Sequence, residues 1–269
     1  MQVRGKVAVV TGAAGGIGSA LARRFAAEGA SGVVLSDVDH EAAERIADEI
    51  RADGGEAVAI AADVTDEAQV AELVAGSERA FGPIELFCSN AGIASGVGLD
   101  AKPEDWARSW SINVVAHAHA ARAVVPGMLA RGSGYLLQTV SAAGLLSCAG
   151  DAPYSATKHA ALGLAEWLSM TYGAAGIKVS VLCPMGVRTN MLMPGIEAGN
   201  ASALAVASAA PILEPAQVAD TVIAGLDAET FLILPHPEVG KMYAHKAADP
   251  DRWLAGMRRV YGENAPAAW

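Results

Sequence analysis

Apolar and polar positions follow two periods along this chain, and the periods change places in a regular order. "KVAVVTG" is a short apolar run closed by a turn, and "SALARRFAAEGA" follows with helical spacing and a stop at Gly29. "GVVLSD" reads as a strand, and "HEAAERIADEIRADGG" as a charged amphipathic helix ended by Gly54 and Gly55. The same alternation continues through the strand "AVAIAADV", the helix "DEAQVAELVAGSERAFG" and the strand "IELFCSNAG". "PEDWARSWSINVVAHAHAARAVVPGML" predicts one long helix with Pro near its start, followed by the strand "GYLLQTVS". "PYSATKHAALGLAEWLSMTYG" predicts a helix whose first turn suits Pro153, and "IKVSVLCP" a sixth strand. "PAQVADTVIAGL" is a late helix and "FLILP" a final strand. Strands apolar on both faces belong in a buried parallel sheet. Strand and helix alternating in this way predict an α/β doubly wound Rossmann-type fold. No break in composition divides it, so residues 1–269 are expected to form a single domain, with a lid at about 185–215 and a C-terminal extension at about 236–269.

The first strand-to-helix turn reads "TGAAGGIGSA", with Gly12, Gly16 and Gly18 spaced GxxxGxG around Ile17. Glycines there allow a tight turn and a close backbone approach, and the following helix N-terminus favours a pyrophosphate. The strict GxGxxG fingerprint is absent, and so is the lysine of a Walker turn. Asp37 ends the second strand about twenty residues after the Gly turn, where a carboxylate accepts ribose hydroxyls. Its neighbours Ser36, Val38 and Asp39 offer no cation to a 2′-phosphate, which favours NAD over NADP.

Composition narrows the partners. The chain of 269 residues carries a formal net charge of −10 and no basic run, which argues against nucleic acid and anionic membrane. No long uninterrupted apolar span predicts a transmembrane helix, and the opening "MQVRGKVAVVTG" does not resemble a signal peptide. Cys88, Cys148 and Cys183 are widely separated and make no disulfide framework, so a reducing cytoplasm is expected. His117 and His119 are two residues apart and point to different faces of a helix, without the spacing of a helical zinc pair, so no metal site is expected.

In "APYSATKHAALG", Tyr154 stands one helical turn before Lys158, so the phenol and the ammonium share a face. A free phenol keeps its proton to about pH 10, and a nearby cation favours the phenolate. The pair alone leaves open whether it is an acid–base device or a coincidence of spacing. The wider pattern resembles the classical short-chain dehydrogenase/reductase family from about residue 5 to residue 235. "TGAAGGIG" matches that family's TGxxxGxG turn, and "SNAG" resembles its NNAG, with Ser89 in place of the first Asn. Asn113 in "SINVVAHAH" matches the family's helix asparagine, Ser141 precedes Tyr154 by thirteen residues, and Tyr154 and Lys158 match YxxxK. "CPMGVRT" resembles PGxVxT, with Met185 where Gly is usual and with Pro184, Val187 and Thr189 in place.

The resemblance implies a catalytic set of Asn113, Ser141, Tyr154 and Lys158. Tyr154 would trade a proton with the alcohol or carbonyl oxygen, Ser141 would orient that oxygen, and Lys158 would lower the phenol pKa and hold the nicotinamide ribose. Asn113 would interrupt its helix and hold a water linking Lys158 to solvent. Asp63 and Val64 would touch the adenine, and Asn90, Ala91 and Gly92 would line the adenosine side and brace the sheet. The implied activity is an NAD-dependent interconversion of a secondary alcohol and its ketone. A sugar-nucleotide epimerase or dehydratase also uses YxxxK but resembles TGxxGxxG and carries a larger C-terminal region. A non-catalytic dinucleotide sensor typically loses the Tyr or the Lys.

The substrate is expected to be hydrophobic and cyclic or aryl-substituted, against Leu145, Leu146, Cys148 and the methionines of the lid, with Asp151 the one acid of that loop. Arg188 could select an anion, but facing solvent or pairing with a nearby acid is favoured. The family implies a homo-oligomer, a tetramer or a dimer. The apolar Ala161, Leu164, Ala165 and Leu168 suggest two packing partners for their helix. "DPDRWLAGMRRVYGENAPAAW" offers no motif, and closing a pocket or meeting another subunit are both open to it.

Overall fold

The computed structural model describes residues 1–262. The first half follows the pattern closely: β1 (Val7–Thr11), α1 (Gly16–Ala27), β2 (Gly32–Asp37), α2 (His40–Ala52), β3 (Ala57–Ala61), α3 (Glu67–Phe81) and β4 (Leu86–Ser89). After them come α4 (Pro103–Trp110), α5 (Ala116–Arg131), β5 (Gly134–Thr139), α6 (Ala143–Leu146), α7 (Ala152–Tyr172) and β6 (Ile177–Leu182). The chain continues with α8 (Met193–Glu197), α9 (Ala201–Ala209), α10 (Pro215–Asp227), β7 (Leu232–Ile233), α11 (Pro237–Ala248) and α12 (Pro250–Gly262). The seven strands form one parallel sheet in the order β3-β2-β1-β4-β5-β6-β7. Strand order reverses between β1 and β4, and the crevice outside the carboxyl ends of those strands is where such sheets bind ligands.

Alternate residues of each strand feed two cores. Ala8 and Val10 of β1 join α1, α2 and α10 through Leu21, Phe25, Ile46 and Val222. Val7 and Val9 point the other way and join α3, α5 and α7 through Leu73, Val124, Ala161 and Leu168. This explains why the strands lack the polar alternation of a half-exposed sheet.

The long helix expected after Gly98 is broken. Ser111–Val115 form a π-helical turn between α4 and α5, and the Ala116 N–H reaches back to the Ser111 carbonyl. Asn113 lies at its centre, so the interruption expected at this asparagine is present. The 185–215 segment after β6, for which the pattern names no element, contains α8 and α9. Its two ends meet where Val187 pairs with Leu213, supported by Arg188 N–H to Leu213 O at 2.9 Å and Leu213 N–H to Gly186 O at 3.0 Å. The C-terminal stretch without a motif supplies α12, while residues 263–269 lie outside the described residues.

One expectation is corrected. Ala161, Ala165 and Leu168 are buried against the protein's own sheet, and Leu164 packs beside them. They are the inner face of α7, not a stripe left for a second partner. The outward apolar residues are Trp106 and Trp110 on α4 and Trp167 and Met170 on α7. Among the described residues, no helix is long and apolar enough to cross a membrane.

Candidate active site

The glycine turn after β1 depends on backbone contact. Gly12 has a φ of +64°, and a Cβ there would come within 2.8 Å of Ala91 Cα. A Cβ on Gly18 would overlap the Gly12 carbonyl oxygen, so α1 can rest on the turn only with glycine at this position. Gly16, at φ +54°, lies against the Thr189 methyl group, which brings the foot of the 185–215 segment over the turn. Gly15 is extended, with open space beside it. Ile17 packs on the first core and anchors the turn from below. The α1 N-terminus has no side-chain cap, whereas Asp39, Asp66 and Asp151 cap α2, α3 and α7. Free helix amides behind a glycine cradle suit a pyrophosphate, so these residues fit a dinucleotide.

Asp37 stands at the rim of the turn. Its carboxylate accepts the Ala14 N–H at 3.0 Å and the Asp39 N–H at 3.1 Å. Asp63, beyond β3, accepts the Thr65 N–H at 2.9 Å and the Thr65 hydroxyl at 2.7 Å. The Val64 carbonyl meets the His119 ring at 3.3 Å. His117, on another face of the helix, is buried, and its pKa is pushed down to about 3 by burial first and by Lys158 second.

Asn90 joins three strand ends. Its amide donates to Thr11 O at 3.0 Å and Gly12 O at 3.3 Å, and its Oδ1 accepts from the Thr139 hydroxyl at 3.0 Å. The Asn90 and Ala91 N–H groups donate to Thr11 Oγ1. Bracing of the sheet, expected of this segment, is therefore visible atom by atom. Gly92 passes between Asn113 and Lys158, where a Cβ would stand 3.3 Å from both Asn113 Oδ1 and Lys158 Nζ.

The four expected catalytic side chains converge at the same end of the sheet. Lys158 donates from Nζ to Thr139 O at 3.0 Å, and this Nζ lies 5.6 Å from the centre of the Tyr154 ring. Phenol and ammonium thus share a face of α7. Burial opposes charge on both: it lowers Lys158 to about 8 and raises Tyr154 well above the ordinary phenol value. The Ser141 hydroxyl, beside the phenol, pulls Tyr154 back down, while Cys148, Asp151 and Cys183 add to the rise. The depressed phenol expected from Lys158 is not a property of these side chains alone, because desolvation outweighs the other influences. Ser141 is itself oriented by accepting the Ala143 N–H at 3.1 Å. Asn113 is fully buried. Its Oδ1 accepts the Ile93 N–H at 2.9 Å, and its amide donates to Ile93 O at 2.9 Å and to Thr157 Oγ1 at 3.1 Å. Both amide hydrogens are therefore engaged within the protein.

Around the phenol the expected walls change. Leu145 is buried in the second core, Leu146 packs half-buried against it, and Cys148 is half-buried. Cys148 Sγ meets Ser202 Oγ of α9 at 3.4 Å, which ties this loop to the 185–215 segment. Lys246 of α11 donates to Leu145 O at 2.6 Å. Arg188 pairs with Glu214 at 2.6 Å on the surface, as favoured from the sequence. Val187 is buried, and Pro184 accepts the Ala142 N–H at 2.8 Å.

Two roles escaped the sequence reading. Asp151 caps α7, and the Asp-x-Pro start of that helix carried the signal. His236 is buried below the 185–215 segment. It accepts the Met185 N–H on Nδ1 at 3.1 Å, so Nε2 carries the hydrogen that Pro211 O receives at 3.0 Å. A single imidazole thereby joins both ends of that segment, and no sequence spacing pointed to it.

The family model described as short chain dehydrogenase matches residues 6–198. The chain belongs to this family. As an oxidoreductase it has close relatives along its length. The 1-deoxy-11-beta-hydroxypentalenate dehydrogenase of Streptomyces avermitilis is 35% identical over 271 residues, covering 99% of this chain and 98% of that protein. The 2,5-dichloro-2,5-cyclohexadiene-1,4-diol dehydrogenase LinX of Sphingobium indicum is 35% identical over 189 residues, covering 70% of this chain and 75% of its own. A short-chain dehydrogenase/reductase of Burkholderia phymatum, solved in complex with NAD, superposes with a TM-score of 0.85 at 31% identity, covering 93% of this dehydrogenase and 96% of that chain.

The glycine turn of the dehydrogenase supplies a direct test. Gly18→Ala should lower stability in urea denaturation by about 1–3 kcal/mol, the usual range for overpacking. Gly15→Ala, in open space, should stay within about 0.5 kcal/mol.

Proposed function

We propose that this dehydrogenase interconverts a hydrophobic cyclic secondary alcohol and its ketone with NAD, using Tyr154 as acid and base. The observation that carries the proposal is Lys158 Nζ, anchored to Thr139 O and held over the Tyr154 ring, with Ser141 hydrogen-bonded to the phenol. A bound nicotinamide supplies the hydride acceptor or donor and, when oxidised, a positive charge near the phenol. Gly12, Gly16, Ile17 and Gly18 would seat its pyrophosphate, with Pro184, Val187 and Thr189 closing from above. Asp63 and Val64 would face the adenine, and Asn90, Ala91 and Gly92 would line the floor. Lys158 would donate to the nicotinamide ribose, and Ser141 would donate to the reacting oxygen. In alcohol oxidation Tyr154 takes the hydroxyl proton as the phenolate, and in ketone reduction it returns that proton. Asn113 acts on the relay beyond Lys158 by holding Ile93 and Thr157 in place.

Several features support the substrate reading. Leu146, Cys148, Met185 and the lid, to which we assign residues 185–215, would form the wall of the substrate pocket with few charges. Arg188 is occupied by Glu214, which removes the obvious anion selector. Two relatives are named for hydroxylated substrates, one of them a cyclohexadiene-diol. Methionine and leucine walls discriminate by only about 1–3 kcal/mol per methylene, so several related alcohols should serve. The test is absorbance of reduced nicotinamide with a panel of ring-borne secondary alcohols and hydroxy acids of similar size. Neutral ring alcohols should be preferred, and Tyr154→Phe should cut turnover by about 10²–10⁴-fold while the dinucleotide still binds. A strong preference for the hydroxy acids would overturn the substrate class.

NAD over NADP rests on Asp37, whose carboxylate would face the 2′-phosphate of NADP with no cation at Ser36, Val38 or Asp39. The ratio of kcat/KM values should favour NAD, and Asp37→Ser should narrow it. Equal use of both cofactors by the unaltered enzyme would refute the assignment.

We further assign a homo-oligomer, a dimer or tetramer, working in the cytoplasm, where the three free thiols Cys88, Cys148 and Cys183 stay reduced. The outward tryptophans of α4 and α7 support the assembly, since large exposed aromatics mark interfaces. Light scattering at micromolar concentration should give a multiple of the 27.3 kDa chain. Trp110→Glu should shift it toward the single-chain mass.

A further inference from the structure

Asp151 accepts four hydrogen bonds and has almost no contact with solvent. Oδ1 receives the Tyr154 N–H at 2.9 Å and the Ser95 hydroxyl at 2.6 Å. Oδ2 receives the Ser95 N–H at 2.8 Å and the Gly96 N–H at 2.6 Å. The Ala152 N–H adds a bond to Val97 O at 3.2 Å. Among the described residues, no lysine, arginine or histidine pairs with this carboxylate. Its charge is solvated by protein dipoles alone, and a buried charge is stable only with such a full set of donors.

The two bodies it joins are the reacting ones. One is the first turn of α7, which carries Tyr154. The other is the backbone that leaves the Asn90–Gly92 floor, is held by Asn113 at Ile93, and then meets Asp151 at Ser95 and Gly96. A neutral cap of α7 would satisfy the Tyr154 N–H and leave the Ser95 and Gly96 amides without an acceptor. We propose that Asp151 is a positioning residue for the reaction, a buried anion that fixes the 95–97 backbone as a substrate wall at a set distance from the Tyr154 phenol. The proposal rests on the reading of Tyr154 as the acid and base.

The charge itself has a consequence. The phenol faces Lys158 from its own helix, Cys148 and Asp151 from the preceding loop, and Cys183 from the end of β6. Asp151 raises the phenol further, against the influence expected from a cation. Removing the charge while keeping the cap should therefore move the phenol downward.

Asp151→Asn tests both consequences. Its carbonyl can still receive the Tyr154 N–H, but its NH2 then meets the Ser95 and Gly96 N–H groups. Amide exchange across residues 93–98 should accelerate by about tenfold or more, as loss of charge-assisted bonds predicts. The KM for the alcohol should rise by about tenfold for the same reason, with the NAD dissociation constant within about twofold of the unaltered enzyme. The acid limb of kcat/KM for alcohol oxidation should move to lower pH. Asp151→Ser caps α7 but cannot span to Gly96, so it should reproduce the rise in KM. If Asp151→Asn does not fold, Ser95→Ala removes the hydroxyl bond to Asp151 and the Val97 N–H bond to that hydroxyl, and should raise KM by a smaller factor with the acid limb fixed. Unchanged exchange at 93–98 would overturn the proposal, and so would a fall in melting temperature with KM and acid limb both unchanged. An enzyme inactive on every alcohol would instead refute the proposed function, and the exchange measurement would still decide whether Asp151 holds the wall.

Discussion

Asn90 sets the distance between the two halves of the site. Its amide lies across the ends of β1 and β5, touching Thr11, Gly12 and Thr139. The carbonyl of that same Thr139 receives the Lys158 ammonium. A displacement of Asn90 would therefore be felt at the glycine turn and at the base of the catalytic helix together. Parallel strands end in carbonyls and amides that have lost their ladder partners, and buried groups of that kind must find others. Here one side chain satisfies several of them, and the site inherits its spacing from that requirement.

Burial works against ionisation throughout this end of the sheet. Lys158 is lowered, Tyr154 is raised, and His117 is held neutral, each chiefly by loss of water. Tyr154 and Lys158 thus stand where neither is easily charged on its own. Any charge that arrives above the sheet then acts on the pair through a medium of low dielectric, where its effect is far larger than in water.

Much of the fold was legible because the periods of 2 and 3.6 are direct consequences of strand and helix geometry. The strand-and-helix succession from Val7 to Ser89 follows the reading within a few residues. Asn113, Ser141, Tyr154 and Lys158 were found as a set through the family resemblance, and the structure brings them together. What stayed hidden depended on contacts between distant segments. The direction of Leu145 is decided by the core above it, the inward face of α7 by the sheet beneath it, and the bond between Met185 and His236 by a loop returning 51 residues later. Short apolar helices such as α9 carry too little periodicity to separate them from loop. Asp151 had a visible signal as a helix cap, but its second pair of donors comes from a segment more than fifty residues upstream.

The π-turn at Ser111–Val115 reaches beyond Asn113. An α-helix advances by about 100° per residue, so one accommodated extra residue offsets everything on its far side by about that angle. On α5, Val124, Val125 and Met128 face the sheet, while on α4 Trp106 and Trp110 look outward beside α7. The angular phase of the outer surface and that of Asn113 are thus tied to the same insertion. Deleting one residue between 111 and 115 would let the helix close into uniform winding. Asn113 would swing away from Ile93, and the tryptophan face would turn about the helix axis by the same step.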